Sequence, residues 1–476
     1  MFVWLAVVIY WQSTSRLPSE ADLVLYFGVL PLALVAGGWG IYKLATRPKS
    51  VATAPDGALK DDAQQQSDQA AKDVEHERAW TLHIIASSLH TAAGNSSAEV
   101  LGKLKDGDIE PELDPELKTP EGFSVFSARI QDLDDADTQE FFAQWQNTTA
   151  HAALAWSQSQ YRALHLASLS VHELAALASE HPDVQLYLRL AEAGRPGKED
   201  AVLLLRMIFL WPNHWSDRHQ SMASDWMKSL AAQHGWPEPR IVTQEATSEH
   251  ANALSLLDYI NVSTHKAQLP TVGILVACDS GIEQAYVDEL AANNNLFGGR
   301  NTQGIKPGEV SAGLLFADAG QSQLLGEGPF SSLHRASWAN RDKSADDKGR
   351  VTTDLLTRLV ELALETSKVQ IADIQLVSSD NDHKPSRESE LAEMLSMTFP
   401  ELDPAKDAVK VPQACGSTHH SSATIAALCV AHQYVIDEQL PVMCTSLHGP
   451  LLRAAVVLTV PTEKTDENKQ DSTLAA

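Results

Sequence analysis

A layered α/β body behind a hydrophobic N-terminal hairpin is the fold class this sequence predicts, and three observations predict it. Strand-like and helix-like segments alternate from about Trp80 to Val460, which favours a sheet covered by helices on both faces. The order of elements in the first part of that body recurs in the second, so two related α/β halves are expected. Ahead of them lie two apolar runs, Met1 to Trp11 and Leu23 to Ala45, separated by a polar turn.

The second run is uncharged up to Lys43 and, at about 1.5 Å of rise per residue, long enough to span a bilayer as a helix. The first is shorter, a marginal span or a re-entrant segment. No basic stretch precedes it and no small-residue cleavage site clearly follows the second, so residues 1–45 read as a membrane anchor of one or two transmembrane helices rather than a signal peptide. Tyr26, Trp39 and Tyr42 suit interfacial positions. Lys43, Arg47 and Lys49 crowd the exit of the second run, so the large domain is expected to face the cytoplasm.

Residues 46–78, rich in Ala, Asp, Gln and Lys and carrying Gln64 to Gln66, read as a flexible linker, and residues 462–476 as a disordered tail. Between them, residues 79–330 form the expected N-terminal half, with a divergent helical insertion at about 132–263, and residues 331–461 the C-terminal half. The formal net charge of -26, from 62 acidic and 36 basic residues, disfavours nucleic acid and suits solubility and basic protein partners. Cys278, Cys415, Cys429 and Cys444 form no CxxC pair and no metal spacing, and read as reduced packing thiols. No metal and no cofactor is expected.

The body opens with a strand, Trp80 to Ser88, and a turn in which Ser96 caps a helix over Ser97 to Leu104 that ends at Gly107. A second extended segment follows at Phe123 to Ile130. Buried strands are expected at Pro270 to Gly281 and Gly304 to Asp318. The second half reads as a helix over Thr352 to Thr366, a strand over Ile371 to Ser379, a helix over Glu388 to Leu395, the stretch VKVPQACGSTHHSSATIAALCVAHQYV, and a closing strand pair over Leu440 to Val460.

Those segments carry a resemblance. IIASSLHTAAGNSSAEVLGKLKDGD is similar to the opening of β-ketoacyl synthases, PTVGILVACDSG to the buried strand after the nucleophile helix, and GIKPGEVSAGLLFAD to the glycine-bearing turn and strand that complete the first half. The resemblance implies a thiolase-like layered fold of two related α/β halves and covers Trp80 to Val460 in pieces, with Asp132 to Ser263 poorly matched. It also implies where chemistry would sit. The nucleophilic cysteine belongs at a helix start near Ser248 to Leu254, where the helix dipole would lower its pKa, and no cysteine stands there.

The first family histidine falls on Asp380, an acceptor-only group when ionised. The supporting lysine falls near Gln413 and the second histidine near Ser417 or Thr418, with His419 and His420 immediately after. His383, in an Asp/Asn/Lys turn, reads as solvated. The ancestral Cys-His-His site therefore reads as lost and the chain as no enzyme. The alternative is an acyl-thioester condensing or acyl-transfer enzyme of the thiolase superfamily that uses Cys415 with His419, His420 or His383.

WPNHWSDRH places Trp211, His214, Trp215, Asp217 and His219 together; the histidine spacing does not put both rings on one helical face, so a partner-binding patch is preferred to a metal site. The tryptophans Trp145, Trp156, Trp211, Trp215 and Trp226 are otherwise expected in the core. With the membrane tether and acidic surface, the whole chain resembles the type VI secretion lipase-effector adaptor family. That resemblance implies a protein of the bacterial inner membrane that captures a phospholipase effector and helps load it onto the secretion spike protein. A lipid- or acyl-carrier-binding protein is a further alternative, and a homodimer is possible.

Overall fold

The computed structural model describes residues 75–461 apart from 108, 110–111, 149–153, 196, 246–251 and 327. The expected membrane anchor, nearly all of the linker and the C-terminal tail lie outside the described residues. Among the described residues no helix is long and apolar enough to cross a membrane.

In chain order the first half comprises β1 (Leu82–Thr91), α1 (Ser97–Asp106), β2 (Glu112–Lys118), β3 (Ser124–Ser127), α2 (Ala136–Thr148), α3 (Gln158–Ala178), α4 (Pro182–Glu192), β4 (Leu205–Leu210), α5 (Asp217–Ala232), β5 (Ile241–Glu245), α6 (Ala253–Ala267), β6 (Val272–Ser280), α7 (Gln284–Ala292) and β7 (Glu309–Ala317). After the short α8 (Ala319–Ser322), the second half comprises β8 (Ser331–Leu333), β9 (Ser337–Asn340), α9 (Asp354–Ser367), β10 (Leu376–Ser379), α10 (Pro385–Thr398), β11 (Ala408–Lys410), α11 (Pro412–Cys415), α12 (His420–Glu438), β12 (Val442–Ser446) and β13 (Leu452–Thr459). Helix α1 starts and stops where its caps say it should. Ser96 accepts from the Glu99 amide, and Gly107 ends the helix at φ 72°, a left-handed conformation a Cβ would disfavour.

The strands join in the order β11-β10-β12-β13-β8-β1-β7-β6-β4-β5, with β9 also on β13. The internal repeat lies in this order. Strands β5, β4 and β6 pair in parallel and β7 closes on β6 antiparallel; β11, β10 and β12 pair in parallel and β13 closes on β12 antiparallel. Helix α6 follows β5 as α12 follows β11, so the two helices are equivalent by topology. Strands β1 and β8 pair across the junction of the halves.

Residues 132–263 are more than the helical insertion expected from sequence, because β4 and β5 belong to the main sheet. The helices of this segment cover it: α3 lies on β6 and β7, and Trp211, Trp215 and Trp226 are buried in one cluster with Phe142 and Met207. Trp145 and Trp156 pack against its edge. Helix α12 is almost entirely buried and packs against β1, β6 and β7 of one half and β10, β12 and β13 of the other. Its run of Ala, Ile, Leu, Cys and Val shows no polar face because strands surround it, as expected of a helix inside a layered core.

Candidate functional site

The equivalence of α6 and α12 puts two helix starts in the positions where the resemblance places chemistry. Asn252 caps α6 by accepting from the Ser255 amide, and the residues just before it carry no cysteine. All four thiols are buried elsewhere. Cys415 is fully buried, and burial pushes its thiol up to about 12. Its Sγ contacts the Val411 carbonyl and Thr418 Oγ1, so the alternative that made Cys415 a nucleophile places a protonated packing thiol in that role.

At the start of α12 the structure gathers histidines. The rings of His419 and His420 stand 4.1 Å apart between centroids, and the His419 amide donates to Asp279 Oδ2 at 2.7 Å, at the end of β6. Neither ring nitrogen of His419 has a protein partner, nor does Nε2 of His448. Burial, reinforced by the neighbouring rings of His420, His448 and His214, holds His419 down to about 3, and burial also lowers His420 and His448. Burial raises the Asp279 carboxyl, an effect the His419 amide opposes. The result is a set of neutral imidazoles, able to accept a hydrogen bond, beside the Asp279 carboxyl group.

Asp380, where the resemblance places a histidine, has a structural task. It is fully buried at the end of β10, and four donors meet it: Thr424 Oγ1 and Ser446 Oγ at 2.6 Å on Oδ2, and the Leu447 and His448 amides at 2.6 and 3.1 Å on Oδ1. Asp380 thereby ties α12 to the chain leaving β12 and fixes the backbone of His448. A histidine here would present at most one acceptor nitrogen to four donors.

The other sequence candidates divide. Ser417 donates its amide to the Lys306 carbonyl and accepts from the Lys306 amide, so it joins the halves. Gly308 meets the same turn so closely that an added Cβ would fall 2.0 Å from the Cys415 carbonyl oxygen. Thr418 is buried against Cys415, and Gln413 is exposed at the rim of a cavity. His383 is half-buried, not solvated as its polar turn suggested: its ring packs edge-on against Phe297 at 5.3 Å, and Gly304 supplies a backbone hydrogen bond. In the Trp211–His219 patch, Trp211 and Trp215 are core residues and leave no aromatic surface for a partner. Trp211 donates to Ser224 Oγ at 2.8 Å, and His219 binds Ser216 and the Ala155 carbonyl. His214 and Asp217 are exposed, and His214 faces the Asp279–His419 pair. Asp279 and His448 escaped the sequence reading; their only signals were a carboxylate ending an apolar strand and a histidine just past the penultimate strand. Among the described residues no group of three His, Cys, Asp or Glu side chains is placed to hold a metal ion.

Solved structures similar to this chain include ketosynthases. The ishigamide ketosynthase/chain length factor aligns with a TM-score of 0.51 at 12% identity, covering 81% of this chain and 100% of its own. Ketosynthase twelve of the bacillaene polyketide synthase from Bacillus amyloliquefaciens aligns at 0.51 and 11%, covering 81% and 76%. An oxazolomycin ketosynthase domain from Streptomyces albus aligns at 0.51 and 12%, covering 81% and 75%. No protein-family model and no curated protein matches the chain. The body is thus a thiolase-like α/β fold of the ketosynthase kind. The expectation that the chain is no enzyme is corrected by these neighbours: its fold is that of condensing enzymes, and His419 and His420, kept for the enzyme alternative, stand with His448 at the start of α12.

Proposed function

We propose that this protein is an adaptor of the type VI secretion lipase-effector kind. In this reading it is anchored in a bacterial inner membrane, faces the cytoplasm, and holds a phospholipase effector for transfer to the secretion spike. The observation that carries the reading is the β2–β3 hairpin, which stands apart from the main sheet. Its inner residues Leu117 and Val125 are buried with Ile282 and Val287, while Leu113 and Phe126, cross-strand partners, and Phe123 at the turn face outward. Phe123 is 71% exposed and Leu113 58%. Large apolar side chains grouped on one rigid element mark a protein-binding surface.

The hairpin is built to hold that shape. Asp114 is buried beneath it, and although burial alone would raise its carboxyl, Arg129, the Leu117 and Glu116 amides and Ser127 hold it at about 2. The test is co-purification of the full-length chain in mild detergent from its native host. A phospholipase recovered with the wild type and absent from a Phe123→Asp preparation supports the reading; equal recovery with both, or none with either, sinks it.

A second reading is favoured by the histidine group: acyl-thioester chemistry in which His419 or His420 serves as a base. Loss of thioester absorbance catalysed by the full-length chain, and abolished in His419→Ala or in His420→Ala, supports it. Turnover indifferent to both changes counts against it.

A further inference from the structure

Between the hairpin and the second half lies a cavity of about 130 Å³ lined by Ala128, Lys306, Asn381, His383, Lys410 and Gln413. Two of its polar groups have no protein partner. Asn381 is 1% exposed and its Oδ1 accepts from nothing, and His383 Nε2 is equally unpaired. Lys410 is neutralised by an ion pair with Glu388. Lys306 is different: its Nζ lies 4.3 Å from the Phe297 ring centroid, and among the described residues no carboxylate stands within ion-pair distance of it. In a chain of net charge -26, a half-buried ammonium without a carboxylate is a charge left for something else to meet.

The chemistry that meets Lys306 and Asn381 together is narrow. Lys306 calls for an anion. Asn381 Oδ1, the more deeply buried of the two acceptors, calls for a hydrogen-bond donor on the same ligand, and His383 Nε2, on an imidazole kept neutral by burial and by the nearby Lys306, adds a second acceptor to the wall. Size sets a limit too, since a cavity of about 150 Å³ holds one benzene, so this one takes roughly five or six non-hydrogen atoms.

We propose that this cavity binds a small α-hydroxy carboxylate of the glycolate or lactate class, its carboxylate on Lys306 and its hydroxyl donating to Asn381 Oδ1. Phe297 links the site to the apolar hairpin, because its ring contacts both the Lys306 ammonium, at 4.3 Å, and the Phe126 ring, at 5.7 Å. A ligand seated on Lys306 is therefore one aromatic ring removed from Phe126 of the hairpin.

Isothermal titration calorimetry of the full-length chain in mild detergent tests this with glycolate, acetate and inorganic phosphate as probes. Glycolate is expected to bind saturably. Acetate, which lacks the hydroxyl donor, is expected to bind about tenfold more weakly, the ordinary worth of one buried hydrogen bond. Lys306→Met is expected to lose at least about tenfold for glycolate, as removal of a charge-assisted bond does, with circular dichroism confirming that the variant is folded. Gln413→Ala, at the exposed rim, serves as a second variant expected to weaken glycolate less than Lys306→Met. No saturable glycolate binding, acetate equal to glycolate, phosphate tighter than glycolate, or a folded Lys306→Met protein that binds glycolate unchanged would each overturn the assignment.

Discussion

Replacing Asp380 probes the site most sharply, because its carboxylate receives four hydrogen bonds in a fully buried position. In Asp380→Ala the hydroxyls of Thr424 and Ser446 can rotate; Thr424 already donates to the His420 carbonyl at 2.8 Å, so its loss is partial. The Leu447 and His448 amides cannot turn away, and a buried donor left unpaired costs about 1–3 kcal/mol. Two such amides plus the small cavity left by the side chain bring the expected loss to about 3–6 kcal/mol. Asp380→Asn keeps an acceptor for the amides and offers its NH2 to hydroxyls that can accept, so its loss is expected at about 1–2 kcal/mol. Asp380→His, which offers at most one acceptor to the four donors, is expected to behave like Asp380→Ala. Urea unfolding followed by tryptophan fluorescence at pH 7 reads these values as midpoint shifts at constant m. Asp380→Ala within about 1 kcal/mol of wild type, or Asp380→His more stable than Asp380→Asn, would refute the anchoring role.

Three further outcomes follow from the same structure. His432 is 4% exposed, bonded to Ser331 Oγ at 2.8 Å, and burial lowers it to about 4. The unfolded chain therefore binds this proton first. Its contribution to stability is complete above pH 6.5 and is lost as pH falls toward 4, by about 2 kcal/mol between pH 7 and 5. Urea midpoints at the two pH values, compared with His432→Gln, check that the difference shrinks in the variant. Gly308→Ala forces a Cβ onto the Cys415 carbonyl at 2.0 Å, and is expected to cost about 3 kcal/mol in the same unfolding assay. Burial raises all four thiols. Ellman's reagent is expected to label none of them in the folded protein and all four in guanidinium.

Much of the fold is legible in the chain because local chemistry and tertiary structure agree there. Ser96 and Gly107 bracket α1 where the sequence places its caps, and the apolar strings that become β6 and β7 are buried along nearly their whole length. The second half repeats β4–β5–α6–β6–β7 closely enough for the duplication to show. Strand β5 escaped because Ile-Val-Thr-Gln-Glu lacks an apolar string; its place is set by pairing with β4. Strands β8 and β9 are too short to carry a period.

At the site, the absence of a cysteine before α6 and the aspartate at position 380 were singled out by the resemblance to β-ketoacyl synthases. What Asp380 binds was not, since its partners come from α12 and from the chain after β12. The polar string Asn381, Asp382, His383 looks solvated by composition, yet Asn381 and Asp382 are buried and the segment bearing Phe297 and Gly304 packs on His383. Conversely, Trp211 and Trp215 look like a surface patch beside His214 and Asp217, but α5 and α3 close the core around them.

The central claim is that the hairpin of a ketosynthase-like body holds a phospholipase, and direct binding of the two purified proteins tests it most closely. Affinity would be measured for the wild-type full-length chain and for Phe123→Asp, with thermal melting to show that the hairpin variant is folded. Loss of a central aromatic contact is worth at least about 2 kcal/mol, so the variant is predicted to bind roughly thirtyfold or more weakly at an unchanged melting temperature. Equal affinity of the folded variant and the wild type would contradict the claim.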